Sequence, residues 1–170
     1  MKGWFIQAIR QVVRTAPPRV YISPWVSIGS DGDVLANGDA IGRPFEIPVP
    51  VSGIIQSATL LDRDDENSQI DVALFDSPFT AVAANLVYAI SDEDGRRKIF
   101  QLNFTTFNDN VNSRDSSVEN IGKAYRVKPK SRGSKMGRMW CQGITRATPT
   151  IALGSEPLLR LEIYPDEPVD

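Results

Sequence analysis

Histidine is missing from this chain altogether, and cysteine occurs once, as Cys141. The first absence removes the commonest general base, the commonest zinc ligand and the usual pH switch. The second removes internal disulfides and thiolate metal clusters. Cys141 lies between Trp140 and Gln142 in a strand-like run. A lone cysteine there packs as a small apolar residue, and no histidine exists to activate it as a nucleophile. Long apolar runs are lacking too, since nothing approaches the roughly 20 residues a membrane helix needs. The opening Met1 to Ile6 is soon broken by Gln7, Arg10 and Gln11, with neither a secretory apolar core nor a small-residue cleavage site. Gly-rich phosphate loops, nucleophile elbows and metalloprotease helices are absent as well. These absences point to a non-enzymatic chain without cofactors, folded by core packing alone in a reducing cytosol.

What is present suits one domain. A chain of 170 residues, 41% apolar and 24% charged, can bury a two-layer core. The net charge of −2 is unevenly spread. Asp62 to Asp76 and Glu162 to Asp170 are acidic. Lys123, Arg126, Lys128, Lys130, Arg132, Lys135 and Arg138 form a basic stretch, and Arg10, Arg14 and Arg19 make the beginning basic. Such opposed patches steer a protein onto partners or onto copies of itself.

Residues 1–18 stand apart from 19–170. Phe5, Ile9, Val12 and Val13 recur at helical spacing, and Pro17-Pro18 then stops any helix. This segment is either a first helix packed on the domain or an arm, helical or extended, that docks on a neighbouring subunit. From Arg19 onward, strands are expected over 20–28, 45–51, 53–61, 69–75, 86–90, 98–107, 117–127, 136–146 and 157–164, separated by turn residues. Phe100, Leu102 and Phe104 alternate with Gln101 and Asn103, as do Leu159, Leu161 and Ile163 with Arg160 and Glu162. Ile47-Pro48-Val49-Pro50-Val51 must be an edge strand, because neither proline can donate to a second neighbour. Ser91 is placed to cap a helical turn before Gly95. The expected fold is an all-β antiparallel sandwich with Leu60, Val72, Leu74, Phe75, Ile90, Phe100, Leu102, Phe104, Leu159 and Leu161 in its core.

The candidate chemical groups have ordinary readings. Asp31-Gly-Asp33 and Asn37-Gly-Asp39 hint at a weak calcium loop, but no glutamate closes one, and Asp-Gly and Asn-Gly are turn formers. Asp62, Asp64, Asp65 and Glu66 are adjacent rather than facing, so they suit a solvated loop better than a catalytic pair. Trp25, Trp140 and Tyr88 could stack on sugar rings or could be core. The basic stretch could contact nucleic acid, yet the chain is acidic overall and offers no recognition helix. The residues expected to meet a partner are Trp4, Phe5, Ile9, Arg10, Val13 and Arg14 in the first segment, and Lys128, Lys130, Arg132 and Lys135 in the basic loop.

Leu35 to Gly42, Gly53 to Asp62, Ile70 to Asp76, Leu86 to Asp94, Trp140 to Thr150 and Leu158 to Ile163 form an ordered series. That series resembles small structural proteins of tailed-bacteriophage virions, over most of the chain from Leu35 to Ile163. The resemblance implies a jelly-roll-like sandwich present in many copies in the virion, assembled in the host cytoplasm. Within the class it implies a capsid decoration (cement) protein, a homotrimer seated between major capsid subunits. A tail or neck component and a β-sandwich module that binds carbohydrate on the host surface are the alternatives. The first segment and the basic stretch lie outside the pattern.

Overall fold

The computed structural model describes residues 19–169. Segment 1–18, with Trp4, Phe5, Ile9, Arg10, Val13 and Arg14, lies outside the described residues, as does Asp170. The rest is an all-β antiparallel sandwich. Its strands are β1 (Tyr21–Ile22), β2 (Val26–Ser27), β3 (Ala40–Pro50), β4 (Ser52–Asp62), β5 (Ile70–Phe75), β6 (Lys98–Phe104), β7 (Asn108–Asp109), β8 (Arg114–Val118), β9 (Lys123–Arg126), β10 (Met136–Thr145) and β11 (Leu158–Pro165). A seven-stranded sheet runs β1-β11-β4-β8-β7, with β2 beside β11 and β9 beside β4; a four-stranded sheet runs β3-β10-β5-β6. The chain crosses between the sheets repeatedly, the over-and-back winding that Greek keys and jelly rolls share.

Period-2 alternation aims one face of each sheet inward. Ile47, Val49, Ile55, Leu60, Val72, Leu74, Leu102, Phe104, Met139, Leu159, Leu161 and Ile163 meet there and are essentially unexposed. Each such side chain contributes about 1.5–3 kcal/mol when taken from water. Of the expected core residues, Phe100 is half-buried against this core, and Ile90 sits elsewhere, half-buried. Ile90 packs with Phe79, Tyr88 and Trp140 around Ala73, Phe75 and Ile144, a smaller cluster on the outer face of the four-stranded sheet.

The proline-bearing strand is an edge, as its chemistry demands. β3 pairs only with β10, placing Pro48 opposite Arg138 and Pro50 opposite Met136. Only Val51 separates β3 from β4, so the chain changes sheets at one residue. The Val51 amide bonds to the Lys135 carbonyl and its carbonyl accepts from the Val127 amide, both at 2.8 Å. The basic hairpin is thereby fastened to the corner of the sandwich.

Three expected strands differ. Residues 20–28 divide into β1 and β2 because Pro24 offers no amide; the Ser23 hydroxyl accepts from the Leu161 amide at 2.9 Å and bridges the gap. Residues 117–127 divide into β8 and β9. Both lie along β4, but Gln56 is an extra residue there, and Asn120 and Gly122 turn the chain with positive φ to step over it. Residues 86–90 form no strand. Asn85 is left-handed at φ 60°, and only Val87 makes a bridge, to Asp39. Leu86 and Val87 are exposed, at 58% and 71%.

The short helix α1 (Asp92–Arg97) starts where expected, with Ser91 Oγ accepting from the Asp94 amide at 3.1 Å. It runs through Gly95 rather than stopping there, and ends at Lys98, whose ψ of 118° is extended and whose amide donates to the Gly95 carbonyl. Acids in the first turn and arginines in the last agree with the helix dipole.

Candidate functional site

The end of the sandwich that holds the Val51 corner carries a group of exposed cations: Arg126, Lys128, Lys130, Arg132 and Lys135. β9 delivers the chain there, with Tyr125 buried and its hydroxyl donating to the Pro50 carbonyl at 3.0 Å. The following loop is an ordered hairpin. Pro129 bridges to Gly137, the Lys130 amide reaches the Met136 carbonyl at 2.9 Å, and Ser134 braces the turn from both its backbone and its hydroxyl. Gly137 is required by proximity: a Cβ there would stand 2.5 Å from the Lys128 carbonyl oxygen.

Lys128, Lys130, Arg132 and Lys135 are all exposed on this hairpin. Lys128 and Lys130 line a cleft of about 390 Å³ with Asp76, Ser77, Pro78, Pro129, Arg138 and Trp140. An adjoining hollow of about 580 Å³ continues past Arg97, Arg126 and Val127. Two of these cations are already paired: Arg138 with Glu46, and Arg97 with Glu93 at 2.9 Å and Asp94 at 3.5 Å. Arg126, Lys128, Lys130 and Arg132 have no ion-pair partner among the described residues. Lys135 Nζ donates to the Pro168 carbonyl at 3.0 Å. The cleft therefore combines a cationic rim with proline and tryptophan walls, a chemistry for binding anionic side chains on a partly apolar segment.

The acids singled out in the sequence turn out to hold the chain together. Asp62, expected in a solvated loop, is buried and accepts the amides of Asp64 at 3.1 Å and Asn67 at 3.2 Å. Burial raises its pKa, and those two hydrogen bonds work against the rise. Asp64 accepts the Ala152 amide at 2.6 Å, and Asp65 pairs with Arg114 at 2.5 Å. At the turns, Gly32 and Gly38 take the positive φ angles that Asp-Gly and Asn-Gly supply. Asp39 is buried and accepts the Ala36 amide at 2.8 Å. Among the described residues, no three acids, cysteines or histidines are grouped to hold a metal ion. Cys141 is fully buried, which pushes its thiol well above its ordinary pKa.

The three aromatic candidates are not brought together. Trp25 lies against Arg160, whose guanidinium carbon is 4.5 Å from the ring, on the outer side of the seven-stranded sheet. Trp140 and Tyr88 belong to the cluster outside the four-stranded sheet. Burial pushes the Tyr88 hydroxyl up to about 12, with the nearby Asp94 charge adding to it.

One polar group escaped sequence reasoning. Asp71 is buried, yet its carboxylate accepts from Gln101 and Asn103 at 2.7 Å each and from Arg146 at 2.6 Å. The signal was available in the alternation, since Ile70, Val72 and Leu74 point inward and put Asp71 beside outward-facing Gln101 and Asn103. The same outer face carries Gln142, which clamps the Val82 backbone and holds the 76–91 connection against the sheet. No protein-family model matches the chain, and the searches of curated proteins and solved structures found no match either.

Proposed function

We propose that this chain is a non-enzymatic structural protein of a tailed-bacteriophage virion, a decoration protein that stabilises the head by bridging capsid subunits. The observation that carries the reading is the basic hairpin: ordered, exposed, fastened to the sandwich corner, and rich in cations without partners. Such a surface suits docking against an acidic protein surface. Asp39, Asp62 and Asp64 accept backbone amides and Cys141 is buried in the core, which supports a structural reading of these groups. The order of segments that resembles virion proteins points the same way. A cement protein works by adding contact area across neighbouring subunits, and many copies multiply a modest contact.

Co-expression with the major capsid protein tests this. The chain should co-sediment with assembled shells in stoichiometric amounts and raise the temperature at which they rupture. Removal of residues 1–18, the expected arm, should abolish loading. A chain that stays at the top of the gradient and leaves shell stability unchanged overturns the reading, and sedimentation with tails instead of heads moves it to the tail or neck.

A further inference from the structure

The end that carries the cationic cleft also carries acids without partners. β11 finishes with Pro165 opposite Gly53, and the Asp166 amide bonds to the Ser52 carbonyl at 3.2 Å. The segment is held again where Lys135 meets the Pro168 carbonyl. Asp166 and Glu167 are exposed and have no ion-pair partner among the described residues. Glu167 lines a hollow of about 270 Å³ with Val51, Ser52, Pro129 and Lys135, whereas Lys128 and Lys130 line the cleft with Trp140. Pro129 is the one residue these two hollows share. Glu167 thus lies on a different side of the hairpin from Lys128 and Lys130, the unpaired lysines of its own chain.

We infer that the chain self-associates through this end, with Asp166 and Glu167 of one copy entering the Arg126–Lys130 cleft of another. The chemistry of the two surfaces matches. Pro165-Asp-Glu-Pro-Val169 offers carboxylates for the cationic rim and prolines and a valine for the walls of Pro78, Pro129 and Trp140. The segment is already held by Ser52 and Lys135, so little conformational freedom is lost on docking. A nucleic-acid backbone needs a longer cationic track than two carboxylates do, and Glu46 and Glu93 already neutralise two of the cleft's arginines. Because the acidic and basic surfaces share one end, two copies meeting end to end each offer their acids to the other's cleft, a reciprocal pairing.

This goes beyond the virion reading and is tested without it, on the purified full-length chain. Light scattering at low salt should give a mass above the monomer, falling toward it at about 1 M salt, where screening reaches ~3 Å. Lys128→Glu/Lys130→Glu and Asp166→Lys/Glu167→Lys should each weaken association by about tenfold or more with an unchanged circular dichroism spectrum. The chain carrying all four changes should recover it. A monomer under every condition, a mass insensitive to either reversal, or no recovery in the combined variant overturns the inference. Nucleic acid that co-purifies and is lost only in the lysine variant, with the mass unchanged, overturns it too and assigns the cleft to that ligand.

Discussion

Asp94 shows how a single acid is tuned by its neighbours. Burial alone would raise its pKa, but the Ser91 hydroxyl, the Thr80 amide and the Arg97 guanidinium together hold it below the ordinary carboxylate value. A folded pKa below the unfolded one means that its stabilisation is complete above about pH 4 and is lost as pH falls through the folded value. Melting curves of the wild type and Asp94→Asn should therefore differ at pH 7 and converge in strong acid. A gap that stays constant would show that the charge is not what Asp94 contributes. Cys141 gives a second residue-scale expectation. With its thiol buried and its pKa raised, a thiol reagent at neutral pH should leave the native protein unlabelled and label it fully in denaturant. The cysteine was legible from sequence because a lone thiol among strand residues has one ordinary place to go. Asp62 was not, because adjacency to other acids gives no sign of which carboxylate turns inward to collect amides.

At the level of elements, close backbone approach decides more than propensity. Gly53 lies where a Cβ would come within 2.5 Å of the Tyr164 carbonyl oxygen, and Gly137 makes the same approach to Lys128. Neither contact can be relieved by rotating a side chain, so Gly137→Ala should destabilise the fold by about 1–3 kcal/mol in denaturant titration. It should also loosen the hairpin that presents Lys128 and Lys130. Long alternating strands such as β6 and β11 were readable because each buries a face of uniform polarity. Where one strand steps past another's bulge, as β8 and β9 do beside Gln56, the break depends on the partner and leaves no mark in the stepping strand. Residues 86–90 carry strand-like composition but follow a left-handed Asn85 and meet only one bridging partner. Composition cannot supply a neighbour.

Across the whole molecule, stability is concentrated between the sheets. Leu60→Ala, which empties a fully buried site, should cost about 2–5 kcal/mol, while Leu86→Ala, at 58% exposure, should stay within about 0.5 kcal/mol. Equal effects in urea unfolding would contradict this division of the apolar residues. The charge pattern was visible from the start as separate basic and acidic stretches. Folding brings the basic hairpin and the acids after β11 to one end of the sandwich, with Glu167 and the Lys128–Lys130 pair in separate hollows that share Pro129. By itself, the sequence determined the all-β class, the edge position of the proline strand, the Ser91 cap and the inert cysteine, because each follows from alternation, a missing amide or a single side chain. The tertiary structure alone decided which acids are buried, where strands break, and that the cationic cleft and its acidic counterpart share one end. Those outcomes depend on contacts between residues distant in the chain, which local pattern cannot specify.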